Sequence, residues 1–144
     1  MIVRITVPGE PKGKGRPRFT TTQSGKTFAR TPKDTIQYEN LVKWYYSTLG
    51  ENKPLQGQIR ADIKAYYQKP KSMTKKNLRL VEEGKLRPTK KPDLDNVAKA
   101  ILDSLNTIAY HDDSQVVELY IEKLYADEQG TLGEVKLTEL ESDD

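Results

Sequence analysis

The sequence predicts a mixed α/β (α+β) fold, a small mixed sheet of about four strands flanked by about three helices. Three observations carry that expectation. Residues 58–68 set Ile59, Ala61, Ile63, Ala65 and Tyr67 on one face and Arg60, Asp62 and Lys64 on the other, the period of a half-buried strand. Leu94, Val97, Ala98, Ile101, Leu102 and Leu105 recur at spacings of three and four, the stripe of an amphipathic helix. Strand and helix patterns then alternate along the chain until two strand patterns follow one another at the end. A length of 144 residues fits one domain, 1–144, able to bury a core without staples.

Each element has its own reason. Ile2 to Val7 is rich in β-branched residues and reads as a strand. Residues 8–31, PGEPKGKGRPRFTTTQSGKTFART, hold too much glycine, proline and threonine for a helix. They read as a long basic loop, in part a hairpin, with Phe19 and Phe28 as anchors. Thr31, Pro32 and Asp34 are start signals for a helix that carries Tyr38, Leu41, Val42, Tyr45, Tyr46 and Leu49 and stops at Gly50. Its aromatics read as core. After the strand at 58–68, a short basic helix from Thr74 to about Glu83 is expected to turn Leu78 and Val81 inward. The helix after Asp93 ends at Asn106, HDDSQ reads as a turn, and Val116–Tyr125 and Leu132–Leu140 read as strands paired in a hairpin. The tail 141–144 is expected to fray.

Composition excludes several chemistries. There is no cysteine, so neither a disulfide framework nor a thiolate nucleophile is available. One histidine, His111, in a polar turn serves zinc and nucleophilic triads poorly. The first residues are too short and polar for a signal peptide, and no apolar run approaches a membrane span, so the expectation is a soluble, cytoplasmic protein with no membrane partner.

Charge is divided along the chain. Residues 1–92 hold 21 Lys and Arg against 7 Asp and Glu, whereas residues 93–144 hold 3 against 14. A basic block suits a polyanion and clustered aspartates suit a cation. An enzyme that grips phosphates and cuts one with a metal needs both.

The acidic block opens with KPDLDNVAKAILDSL, residues 91–105. Capping alone can explain Asp93 and Asp95, because aspartate is favoured at the N-cap and in the first turn. Asp95 and Lys99 also have the better spacing for a helical ion pair. Against capping as the whole explanation, the apolar stripe leaves Asp95, Lys99 and Asp103 on the opposite side of the helix. A second pair, Asp112-Asp113, precedes a strand. If that strand begins beside the helix start, one of the pair can approach Asp93 and Asp95. Carboxylate oxygens are hard ligands that suit Mg²⁺, with Mn²⁺ as a substitute. Other motifs fail on spacing. An EF-hand counted from Asp93 would put Val97 and Ala98 where an oxygen ligand and glycine belong, and GEPKGKG lacks phosphate-loop spacing. The Asp-x-Asp signature of glycosyltransferases belongs to much larger domains.

Asp93-Leu94-Asp95-Asn96, Lys99, Asp103 and Leu105, followed by Asp112-Asp113-Ser114-Gln115-Val116, resemble the RusA family of Holliday junction resolvases. The strong match covers about Asp93 to Glu118. The resemblance implies a small homodimeric endodeoxyribonuclease that nicks opposed strands of a four-way DNA junction with Mg²⁺ or Mn²⁺. Carried over by position, Asp93, Asp95 and Asp113 are the metal carboxylates and Lys99 the catalytic lysine. Two departures bear on specificity. The turn Thr107–His111 lacks the glycine common there, and the basic loop is longer than in the enterobacterial type.

The residues support that chemistry independently of the name. Hydrolysis of a phosphodiester needs activated water and neutralised charge, which a carboxylate-held metal supplies, and Lys99 lies one helical turn from Asp95. Lys12, Lys14, Arg16 and Arg18 form a flexible basic arm, extended by Lys75, Lys76, Arg79, Lys90 and Lys91. Such contacts grip phosphates and carry little base specificity, so recognition would be of branched shape. The alternatives are a nuclease of flaps or forks and a non-catalytic branched-DNA-binding subunit.

Overall fold

The order of strands in the sheet decides where the acidic residues stand. In the computed structural model, residues 1–7, 18–21, 23–30, 33–50, 53–127 and 133–141 are described, with the backbone alone at 18–20, 27–30 and 33–35. In chain order the elements are β1 (Ile2–Val7), β2 (Arg18–Thr21), β3 (Thr27–Arg30), α1 (Lys33–Ser47), β4 (Ile59–Tyr67), α2 (Lys75–Glu82), α3 (Leu94–Leu105), a 3-10 turn (Asp113–Gln115), β5 (Val116–Tyr125) and β6 (Gly133–Glu139). The main sheet has the order β1-β6-β4-β5, and β2 and β3 form a separate antiparallel ribbon. This is the expected α+β architecture. The ribbon realises the hairpin expected in the basic loop, while Pro8–Pro17, the helix-start residues Thr31 and Pro32 and the tail 142–144 lie outside the described residues.

One face of the sheet carries the core. Ile59, Ala61, Ile63, Ala65 and Tyr67 of β4 are all buried, as their alternation requires. Val135 and Leu137 of β6 stand beside Ile63 and Ala61, and Ile5 and Val7 extend the layer into β1. Helices α1 and α3 cover this face with Tyr38, Val42 and Tyr46 from one and Val97, Ile101 and Leu105 from the other. The tyrosines of α1 that the stripe marks are core or partly buried, but Leu49 is exposed past the helix end. Burial raises the Tyr38 hydroxyl pKa to about 12, with the nearby Tyr67 adding to it.

Two expectations need correction. β5 and β6 do not form a hairpin. β5 pairs in parallel with β4, and β6 pairs antiparallel with both β4 and β1. The reason is α3, which leaves the C-terminal end of β4 and returns along the sheet, so the next strand must run parallel to β4. That occupies one edge of β4 and leaves the other to β6. Helix α2 likewise buries none of its residues, and Leu78 is 37 % exposed. Its N-terminus is secured locally, with the Thr74 hydroxyl accepting from the Asn77 N–H at 3.2 Å. It stands off the core as a basic outrigger.

Candidate active site

Asp93 occupies the N-cap of α3, with extended φ and ψ of −70° and 155°, and its backbone carbonyl accepts the first helical bond from Val97 at 3.0 Å. Its carboxylate makes no capping bond. Capping therefore accounts for the backbone at this position but not for the side-chain charge. The approach to Asp93 is pinned to the far end of the sheet. The Tyr67 hydroxyl donates to the Pro92 carbonyl at 2.7 Å, and the Lys123 ammonium donates to the Lys90 carbonyl at 2.7 Å. Asp93 and Asp95 are both exposed there. The ion pair expected between Asp95 and Lys99 does not form. Lys99 turns the other way along the helix and meets Asp103 at 3.4 Å.

Asp112 and Asp113 are organised at the opposite end of α3. Gln115 builds their turn. Its side-chain carbonyl accepts from the backbone N–H of His111 at 2.8 Å and of Asp112 at 3.1 Å. Its amide nitrogen donates to the carbonyls of Leu55 at 3.1 Å and Gly57 at 2.9 Å. Asp112 completes a capping box with it. The Ser114 hydroxyl donates to Asp112 and, with backbone N–H groups and Asn106, holds that carboxyl below its ordinary pKa, against a smaller desolvation effect. Asn106 keeps its own side-chain carbonyl buried without a donor among the described residues. Tyr110 donates its hydroxyl to the Leu102 carbonyl. Burial, then Asp113, Asp103 and Asp112, push that hydroxyl far up. These contacts tie Asp112 and Asp113 to the last turn of α3.

A single chain therefore separates the expected metal carboxylates. Asp93 and Asp103 are ten positions apart, on the order of 15 Å along a helix. Asp113 stands with the second of these. The strand after Asp113 starts beside the helix end, not beside its start, because α3 runs opposite to β5. Among the described residues, no group of three acidic or histidine side chains lies close enough to hold a metal. One end offers Asp93 and Asp95 and the other Asp113, with Asp103 and Asp112 near it, so each lacks the rest of the expected set.

The described side chains of the expected basic set lie in the segment between β4 and α3. Lys90 and Lys91 lead directly into Asp93, and α2, which follows the C-terminal end of β4, carries Lys75, Lys76 and Arg79; all five are exposed. Lys75 and Lys76 occupy the first turn of α2, which holds no acidic residue. The helix dipole disfavours cations there, so helix stability does not explain them, whereas an approaching phosphate would be favoured by both. Lys12, Lys14 and Arg16 lie outside the described residues, as does the side chain of Arg18 at the start of β2. Gln115 stands in the motif that the sequence displays but carries no role there, and its spacing of three from Asp112 is the signal for the one it has.

Comparison with known proteins gives the family. The family model described as endodeoxyribonuclease RusA matches residues 8–137. "Uncharacterized protein YqaN" of Bacillus subtilis (strain 168) is 39 % identical over 128 residues, which cover 88 % of this chain and 89 % of that protein. No helix among the described residues is long and apolar enough to cross a membrane.

Proposed function

Because the chain belongs to the RusA endodeoxyribonuclease family, we propose that it resolves four-way (Holliday) DNA junctions by metal-dependent hydrolysis, acting as a homodimer that nicks two opposed strands. The observation that carries this reading is the placing of Asp93 and Asp95 at one end of α3 and Asp112 and Asp113 at the other. Half a site at each end calls for a second copy running the opposite way.

The sheet offers a surface for that copy. β5 is an edge strand of ten residues, paired among the described residues only with β4, and its Val117, Leu119 and Tyr120 are 55, 44 and 54 % exposed. A long edge with exposed apolar side chains is a template for strand pairing. Antiparallel pairing of two β5 edges about a two-fold axis sets the start of one β5 beside the end of the other. The start carries Asp113, and the end lies beside Pro92 and Asp93 through the Tyr67 and Lys123 bonds. The dimer then holds two identical sites, each with Asp93 and Asp95 from one protomer and Asp113 from its partner. Two sites related by two-fold symmetry suit paired cuts in a substrate with like-oriented strands.

The donors fit Mg²⁺ or Mn²⁺, since all are carboxylate oxygens and those of Asp93 and Asp95 are engaged by no described residue. When bound, such an ion supplies charge neutralisation at the phosphate and acidification of water. The chain supplies the rest. Lys99, 63 % exposed on the surface between the two ends of α3, can exchange Asp103 for a phosphate oxygen and stabilise the charge that develops on it. The lysines around Asp93 hold the strand on either side of the cut.

The test is cleavage of a synthetic four-way junction by the full chain with Mg²⁺, beside linear duplex, flap and fork. Paired nicks in opposite strands, leaving 5′-phosphate and 3′-hydroxyl ends, are expected on the junction. Asp113→Asn should bind the junction and not cut it. Cutting by that variant at the parent rate would overturn the site. Preference for flaps or forks would replace the substrate, and binding with no Mg²⁺-dependent cutting by the parent would mark a non-catalytic subunit.

A further inference from the structure

Trp44 is the chain's single tryptophan, and it stands on the outer side of α1 with 59 % of its surface exposed. The buried side of the same helix holds Tyr38, Val42 and Tyr46, so core packing does not explain the indole. Beside it runs a groove of about 610 Å³, walled by α1 on one side and by Pro54, Thr107 and Ile108 on the other. That volume lies within the range of small-ligand sites.

The lining mixes three chemistries. Trp44 offers a broad aromatic surface, meeting Tyr45 edge-on at 4.8 Å between ring centroids. Asn40 offers an amide with both a donor and an acceptor, and Lys43 an ammonium next to the indole. A stacking surface, a hydrogen-bonding amide and a cation together match a nucleobase with its phosphate. A protein partner would favour a more continuous apolar strip. The opposite wall is held in an unusual backbone state. Thr107 has a φ of 70°, in the left-handed region that β-branched residues rarely enter. Such outliers gather at ligand sites. Thr107 and Ile108 follow the C-terminal end of α3, the end that carries Asp112 and Asp113.

We infer that this groove is a binding site for an unstacked nucleobase of the DNA substrate, taken up on Trp44 next to the strand to be cut. The inference rests on the endonuclease reading and adds to it a contact with a base rather than with backbone. At a branch point, bases lose stacking partners, so uptake there costs less than in a continuous duplex. The groove thereby favours branched over linear DNA without reading sequence.

The single tryptophan makes the test direct. The Asp113→Asn chain, in chelator, is titrated with a four-way junction and with linear duplex, following Trp44 emission and, separately, the anisotropy of labelled DNA. Emission should be quenched in step with junction binding and much less with duplex. Trp44→Ala should weaken junction binding by roughly tenfold or more, the loss of one base stack, and leave duplex binding and far-ultraviolet dichroism unchanged. Trp44→Phe should restore most of the affinity. Full junction affinity in Trp44→Ala with no quenching in the Trp44 protein would overturn the groove and leave the endonuclease reading standing. A chain that binds no junction by anisotropy would remove both. Loss of dimer mass in Trp44→Ala, with affinity falling equally for junction and duplex, would assign the groove to a second copy and overturn the base site.

Discussion

Gln115 engages both ends of its amide with backbone, accepting from His111 and Asp112 and donating to Leu55 and Gly57. It ties the acidic turn to the segment entering β4. Removing the side chain leaves those groups to water or without partners. At about 1 kcal/mol for a typical net hydrogen bond, discounted for the exposed ones, Gln115→Ala should lose about 2 kcal/mol of stability. Denaturant unfolding measures that. Cutting should fall further than folding does, because Asp113 loses its fixed position, and kcat should drop more than KM rises. Equal kinetics in a destabilised variant would make Gln115 structural only. The sequence made the aspartates visible, since two residues with one chemistry at a helix start are a local pattern. It did not make Gln115 visible in that role, because two of its four bonds reach residues about sixty positions away. The partner of Lys99 was also misjudged. Asp95 and Asp103 are equally spaced from it, and spacing alone does not choose between them.

At the level of elements, local pattern identifies β1, α1, β4, α3, β5 and β6 with boundaries close to those observed, and all but β5 bury part of one face and repeat accordingly. Pairing was another matter. Which strand neighbours which depends on the crossover made by α3, a non-local fact, and so the hairpin of β5 with β6 was expected wrongly. The exposed edge that results has a testable consequence. Leu119→Lys sets like charges near one another across a two-fold pairing of β5 edges. It should yield a folded monomer by light scattering that no longer cuts the junction. A Leu119→Lys chain that stays dimeric would exclude this edge as the interface. The helix layer carries a second consequence. Tyr38 and Tyr110 have hydroxyl pKa values raised by burial above their ordinary 10.0, Tyr38 to about 12. A raised folded pKa means that the neutral hydroxyl is favoured in the fold. The stabilisation is complete below pH 10 and is lost as pH rises through the folded values. Melting temperature should therefore hold on the neutral side and fall above pH 10, and Tyr38→Phe should flatten part of that fall. An identical fall in the variant would remove Tyr38 as a cause.

For the whole molecule, the division of charge along the sequence becomes a division in space only in part. Lys90 and Lys91 come from the basic block yet lead directly into Asp93, which opens the acidic one, and Lys75, Lys76 and Arg79 lie on α2, between the C-terminal end of β4 and that lead. On the proposed reading, basic side chains that would grip phosphate come from the same end of the sheet as two of the carboxylates that would hold the metal. The acidic block itself is split between the two ends of α3, which no count of charges along a chain can reveal. That split separates two architectures. If each chain closed its own site, Asp95→Asn and Asp113→Asn would each be inactive, and so would any mixture of them. If each site takes Asp93 and Asp95 from one protomer and Asp113 from its partner, a mixed dimer collects both defects in one site and leaves the other intact. Unfolding and refolding the two inactive variants together should therefore restore nicking in about half of the dimers, the fraction expected from random pairing of two chains. The restored activity should cut one strand of the junction and not the opposed pair, because only one of the two sites is whole. Junction labelled on each strand in turn distinguishes a single nick from resolution. No activity in the mixture, with one variant isotope-labelled and mixed dimers then seen by mass, would place the three carboxylates within one chain and sink the shared site.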